Sequence, residues 1–438
     1  MTTRLALIAA AAAATLGTAP VHAQTDNSVQ ELRKEIEALR KEVESLKRGQ
    51  AAAPAAAHAD GPSWGDRIEQ VELKQKDAVT AGDIGGSFRL PGSETSIHLY
   101  GYAEAHAIRD FKAWSGPDNF TNLMAQPQST TGVSGRTKLT AETSRFGIET
   151  STPTSHGPFN MKIETDFYAY DGQYGARNRL RLRHAYGEYA GFLVGQTWAT
   201  FMDLDNPVET VDFNAQIGVP FSRRTMLRYN WGDAKGGYKF TFAAEDPTDQ
   251  NGPGTSVNER VPTLVARYDQ TFDWGGINVR TLTHEKRTPL GNSRRGYGLG
   301  FGANYKLTDT DLLTLTAARV DGDADNLLGS NAYTFSGDNS QIFFDRNYGF
   351  ALGYNKTFGD SLRANLSYEE NRSQMDAAAR AAFGTSANHR LQQVHAGMIY
   401  TAMKNVELGG EYIWGRRATF GDGVSLMSRV DLMGRYSF

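Results

Sequence analysis

The chain has 438 residues, 39% of them apolar, with 46 glycines, no cysteine and a formal net charge of −3. A cysteine-free chain has no disulfides, no Cys-ligated zinc and no thiol chemistry, and a near-neutral balance gives no global basic field to draw nucleic acid. No stretch beyond residue 23 approaches the roughly 18 to 20 consecutive apolar residues of a membrane-crossing helix, so any crossing has to be made by strands.

Met1 to Arg4 is a short basic start, Leu5 to Leu16 is an Ala-rich apolar run too short to span, and Val21-His22-Ala23 offers small residues to a signal peptidase. This pattern predicts a signal peptide over 1–23 and a mature start at Gln24, hence export. From Val29 the apolar positions run Val29, Leu32, Ile36, Leu39, Val43 and Leu46, at alternating spacings of three and four. That is a heptad with β-branched residues at a and Leu at d. Glu35 and Glu42 at g face Arg40 and Lys47 at e, as parallel chains pair them. The segment 24–48 therefore reads as an oligomerising coiled coil, with a lone amphipathic surface helix as the alternative; the a/d residues lean toward two strands.

Residues 49–62, rich in Ala and Pro, read as a flexible linker. Residues 63–94 form a less regular polar connecting segment, with room for one short helix. From Thr95 to Phe438 the hydrophobic period becomes two. Sixteen strands are predicted, at 95–110, 135–150, 157–170, 178–190, 191–198, 222–231, 236–246, 260–272, 274–288, 295–307, 310–320, 345–358, 360–372, 388–402, 404–416 and 425–438. Short connections such as 272–275 and 358–360 alternate with long ones at 111–134, 199–221, 247–259, 321–344 and 373–387. Strands greasy on one side and charged on the other, even in number, with alternating short and long connections, predict an all-β transmembrane barrel of 16 antiparallel strands in an outer membrane. An even count places both barrel ends on the periplasmic side with the coiled coil.

In the last strand Val430, Leu432, Gly434, Tyr436 and Phe438 share the lipid face, and Arg429, Asp431, Met433, Arg435 and Ser437 the other. Tyr436 falls in the aromatic girdle and Phe438 closes the strand. A terminal Phe with an aromatic two residues earlier resembles the signal read by the bacterial barrel-assembly machinery.

A barrel of this kind works by a size limit and a local field rather than by covalent chemistry, so the candidate residues are the inward ones and no enzyme activity is expected. In Asn178 to Tyr186, Arg179, Arg181 and Arg183 alternate with Leu180 and Leu182 and form an inward guanidinium ladder. The same parity sends Arg224 and Arg228 inward, and Arg145, Arg267 and Arg280 join them. Guanidinium forks suit carboxylates and phosphates; the plainer alternative is that these arginines pair with loop carboxylates or solvate the wall. The long connection after residue 198 carries Asp203, Asp205, Glu209 and Asp212. The inward fold, a constriction loop, is the favoured reading, because its carboxylates would balance the ladder and leave a narrow two-signed eyelet; folded outward, it would be surface irregularity.

Other signals fail on chemistry. Asp321 to Asn326 has the alternating acids of a calcium loop, but Asn326 replaces the turn glycine and Ala332 the bidentate Glu, so an acidic extracellular loop is expected. His284 to Thr288 lacks the second His of a zinc helix. No metal or other cofactor is expected, and no Ser, His and carboxylate set assembles from the spacing.

Gly86 to Phe111, with its "PGS" entry into the first strand, and the run "RLRLRHAYGEYAGFLVGQTWATFMD" from Arg179 to Asp203 resemble the DcaP-like family of trimeric outer-membrane porins. The likeness covers nearly the whole mature chain. It implies a homotrimer of sixteen-stranded barrels with an N-terminal periplasmic coiled coil, passing small anionic solutes such as dicarboxylates. Site roles carry over only to Arg179, Arg181 and Arg183 and to the loop after Gln196-Thr197-Trp198. The competing reading is a mainly structural barrel whose coiled coil tethers a periplasmic partner or the cell wall.

Overall fold

The structure, a computed structural model, describes residues 41, 68–69, 78–112, 135–169, 179–206, 208–213, 216–233, 235–248 and 259–438. The chain divides into two compact units, residues 1–74 and 75–438. In the first, Lys41, Ile68 and Glu69 are helical; the heptad positions Val29 to Leu46 and the linker lie outside the described residues.

The second unit is a closed antiparallel barrel of sixteen strands. They are β1 (Ser96–Lys112), β2 (Thr137–Thr140 continued by Arg145–Thr152), β3 (Phe159–Ala169) and β4 (Arg179–Tyr189). Next come β5 (Phe192–Trp198), β6 (Arg223–Asp233), β7 (Tyr238–Glu245) and β8 (Thr263–Phe272). The second half holds β9 (Gly275–Arg287), β10 (Ser293–Lys306), β11 (Asp311–Asp321) and β12 (Arg346–Phe358). It ends with β13 (Leu362–Gln374), β14 (Asn388–Met403), β15 (Val406–Thr419) and β16 (Val424–Ser437). Each strand pairs with its chain neighbours, and β16 closes on β1 with Leu432 opposite Ala107. Phe438 completes the seam by exchanging backbone hydrogen bonds with Gly101, at 3.0 and 3.3 Å. The ends of these strands lie within three residues of the expected ones.

Alternation explains the wall. Leu227, Tyr229 and Trp231 of β6 are exposed on the outside while Arg224 and Met226 are buried, and Leu432 and Tyr436 of β16 are exposed while Arg429, Asp431 and Met433 are buried. A barrel has no free edge, so every strand's backbone groups are satisfied within the wall, which a hydrocarbon surrounding demands. Where β2 breaks between Thr140 and Arg145, Ser144 mends the ladder: its hydroxyl accepts from the Glu104 N–H at 3.0 Å and donates to the Glu104 carbonyl at 3.2 Å. Before β1, the described part of the connecting segment is a small hairpin, Thr80–Ala81 with Phe88–Arg89, that extends the sheet at Ser96 and Ile97.

The 199–222 connection runs inside the barrel. Three of its apolar residues find apolar seats on the inner wall. Phe201 packs with Ala243, Val265, Leu282 and Val320, Val211 with Ile399 and Met433, and Ile217 with Leu391, Ile413 and Met427. Glycines on the wall make room for it. A Cβ at Gly302 would overlap Asp203, one at Gly353 would overlap Val208, and one at Gly349 would overlap the Gly218 backbone. Gly218 itself has a left-handed backbone, with φ at +75°, and a Cβ there would overlap the Glu370 carbonyl, so only glycine fits on both counts.

The 322–345 connection is also packed inward rather than exposed. Asp323, Asp325 and Asn326 of the acidic loop are fully buried. Its backbone joins the inner loop, with the Leu328 N–H donating to Val219 and the Gly218 N–H to Leu328. The physical reason is charge: Asp323 and Asp325 face Arg224 at 3.5 and 3.1 Å. Burial alone would raise the Asp323 carboxyl, but Arg224, Lys286 and His284 outweigh it and hold the group below the ordinary aspartate value.

Candidate functional site

On the faces of β2, β3 and β4 turned away from the exposed leucines, cations and carboxylates interleave. Arg181 grips Asp166 with two bonds, Nε at 2.9 Å and Nη2 at 2.6 Å. Arg183 donates from Nε to Glu164 at 2.7 Å and from Nη1 to Asp166 at 2.8 Å. Arg145 lies 3.4 Å from Glu164, and Lys162 bonds Glu149 at 2.7 Å. A bulge in β4 lets both Arg183 and His184 point inward, His184 reaching Thr197 at 2.9 Å. Arg179 is exposed at the start of β4.

Aromatic rings fill the gaps between these guanidinia. Arg223 stacks 4.3 Å over Trp198, whose ring also lies 5.7 Å from Arg183. Phe213, carried across on the inner loop, lies 5.2 Å from Tyr168, with Arg181 and Arg183 at 5.6 and 5.7 Å from its ring. The loop therefore meets the ladder through an aromatic residue, not through its acids.

That is a correction to the expected balance. The ladder is partnered within the wall by Glu164 and Asp166, and the loop carboxylates find other arginines. Asp203 lies 3.5 Å from Arg280 and accepts from Asn278 at 2.9 Å. Asp205 pairs with Arg267, and Arg267 also donates to the Met202 carbonyl at 2.7 Å. Glu209 takes a two-bond grip from Arg363, both bonds 2.9 Å. Asp212 lies 3.9 Å from Arg429, and its N–H donates to Glu411 at 2.9 Å. Arg228 ties down the loop's first turn through Thr200 and the Trp198 carbonyl, at 3.0 and 2.5 Å.

The expected residues thus separate into two sets. Arg145, Arg181 and Arg183 gather on one side of the barrel; Arg224, Arg228, Arg267 and Arg280 hold loops. Glu164, Asp166, Arg223, Arg363 and Arg429 were missed. Parity held the signal for most of them, since Lys162, Glu164 and Asp166 alternate with Ile163 and Thr165, and Arg363 shares a face with Asn365 and Ser367. Among the described residues no group of His, Cys, Asp and Glu is arranged to hold a metal ion.

Residues 73–438 match the family model described as DcaP outer membrane protein. The outer membrane channel DcaP of Acinetobacter baumannii superposes with a TM-score of 0.72 at 26% identity, over 82% of this chain and all of that one. An anion-selective porin from Comamonas acidovorans (TM-score 0.53, 14% identity, 79% of this chain and all of that one) shares the fold. So does the trimer form of OmpT, an outer membrane protein of Vibrio cholerae (0.52, 11%, 78% and 99%). No curated protein sequence matches. A family match over most of the chain, together with a closed sixteen-stranded barrel that superposes on a channel of that family, makes this chain a member of the DcaP outer membrane protein family, a porin-type channel and not an enzyme.

Proposed function

We propose that the barrel gives passive diffusion to small hydrophilic, preferentially anionic solutes of dicarboxylate type, through a lumen whose selecting wall is the arginine patch of β2, β3, β4 and β6. One observation carries this reading: Arg145, Lys162, Arg181, Arg183 and Arg223 stand there against four carboxylates, Glu149, Glu164, Asp166 and Glu188. The surplus is positive, and partly bonded guanidinia keep further N–H donors for a passing carboxylate. The inner loop narrows the path, and its carboxylates Asp203, Asp205, Glu209 and Asp212 are each matched by an arginine, so they offer little opposing field.

In this reading residues 1–23 direct export and are removed, 24–94 lie in the periplasm, and the heptad residues Val29, Leu32, Ile36, Leu39, Val43 and Leu46 hold copies of the chain together. The assembly is a homotrimer in outer-membrane lipid. Tyr436 and Phe438 present the barrel to the assembly machinery. Succinate added to one side of a planar bilayer tests the solute class. It is expected to lower the chloride current through the open channel, while dimethyl succinate at the same concentration leaves it unchanged. Equal effects of the two, or none, would remove the dicarboxylate preference.

A further inference from the structure

The outer face of β10 to β14 carries charge that neither the wall nor the solute path requires. Along one line across these strands Leu299 stands opposite Arg319, Arg319 opposite Tyr348, Tyr348 opposite Arg372, and Arg372 opposite Arg390. Three arginines and a tyrosine therefore sit side by side on adjacent strands. Arg346, opposite Asp321, is one step nearer the rim of long connections. Alternation turns all of them outward, since Ala318, Val320, Asn347, Asn371 and Leu391 beside them are buried. The arginine side chains stay 36 to 53% exposed.

Two carboxylates organise this group. Asp321 lies 3.5 Å from Arg319 and 3.7 Å from Arg346. Glu370 lies 2.9 Å from Arg372 and 2.7 Å from Arg390. Four cations against two anions leave a positive surface, and each guanidinium has five N–H donors, so several remain for an outside acceptor. Directly beneath, Leu299, Phe301, Ala317 and Phe350 line a groove of about 590 Å³ whose edge is formed by Arg319 and Arg372.

The other side of the barrel is different. Outward positions near the same rim there carry Leu139, Leu180, Leu182 and Phe242. Among the described residues of β1 to β7, Arg109 is the outward arginine at that level, and it is spent on the Gly135 carbonyl and Thr137. Arginine on a lipid-facing wall is tolerated only near the interface, and four on neighbouring strands above an apolar groove match an amphiphile with anionic oxygens above and acyl chains below. Guanidinium forks select phosphate among such anions, and the long-connection rim of these barrels faces the cell exterior.

We propose that this face is a binding site for a phosphorylated, multiply acylated saccharide lipid of the outer leaflet, its phosphates on Arg319, Arg346, Arg372 and Arg390 and an acyl chain in the groove. The site is independent of the solute reading, because these side chains face lipid. Native mass spectrometry of the full-length protein in detergent tests it, with diphosphoryl lipid A, monophosphoryl lipid A and inorganic phosphate as probes. Diphosphoryl lipid A is expected to bind, and at least about tenfold more weakly to the Arg319→Gln, Arg346→Gln, Arg372→Gln, Arg390→Gln variant. Loss of one phosphate should weaken it similarly, and single-channel conductance should not change. The milder pair Arg372→Gln, Arg390→Gln serves if the fourfold variant fails to fold. Undiminished binding by the variants, displacement by inorganic phosphate alone, or an altered oligomeric state with lipid binding intact would overturn the assignment.

Discussion

Replacing Arg181 and Arg183 together by Gln is expected to lower the ratio of anion to cation permeability at least about threefold and to move the zero-current potential toward cation preference. The argument is a local balance. Five cations face four carboxylates on that wall, and the double change leaves three against four. It also frees Asp166 of Arg181 and Arg183, its ion-pair partners, so one of the remaining carboxylates becomes more effective as a negative site. The outward pair Arg372 and Arg390 supplies a control of equal charge that should leave selectivity unchanged. Zero-current measurements across a bilayer at about 0.1 M salt or below suit the test, because the screening length is then about 10 Å or more. An unchanged potential would place the ladder off the solute path.

Arg280→Met is expected to release the inner loop. Arg280 is fully buried and holds four groups: the Phe201 carbonyl at 2.8 Å, the Phe301 carbonyl and Thr316 hydroxyl at 3.1 Å, and Asp203 at 3.5 Å. Without it Asp203 is left as a buried carboxylate with amide donors only, from Asn206 and Asn278. Breaking a buried pair in this way costs roughly 3 to 5 kcal/mol, and 3 kcal/mol raises the opened population about a hundredfold. A Glu-specific protease should then cut after Glu209 far faster than in the parent chain, with noisier open-channel current. Adding Asp203→Asn removes the stranded charge and should restore most of the protection. Cleavage unchanged by Arg280→Met would show that the apolar seats of Phe201, Val211 and Ile217 hold the loop without the ion pair.

The wall was legible because its rule is local. Arg224, Met226 and Arg228 against Leu227, Tyr229 and Trp231 give the inner and outer faces of β6 from nine residues of sequence. Two departures from strict alternation were not readable: the β4 bulge that turns both Arg183 and His184 inward, and the geometry that brings Arg223 over Trp198 beside Arg183. The inward course of the long loop was favoured from its four carboxylates, but the arginines they meet were not readable. Asp203, Glu209 and Asp212 meet Arg280, Arg363 and Arg429, which are 77, 154 and 217 positions away in the chain, and pairing across such distances is decided by the closed barrel rather than by spacing. A trace of it was present all the same. The alternate glycines Gly296, Gly298, Gly300 and Gly302 bare one face of β10, and that face is where His284, Leu282, Arg280 and Asp203 lie.

The zero-current potential of the purified full-length protein in a planar bilayer, across a potassium chloride gradient, bears most directly on the proposed anion preference. A potential of the sign carried by chloride, growing as salt is lowered, is the predicted result. A potential of the sign carried by potassium would mean that the carboxylates of the wall and loop set the field, and would contradict the account.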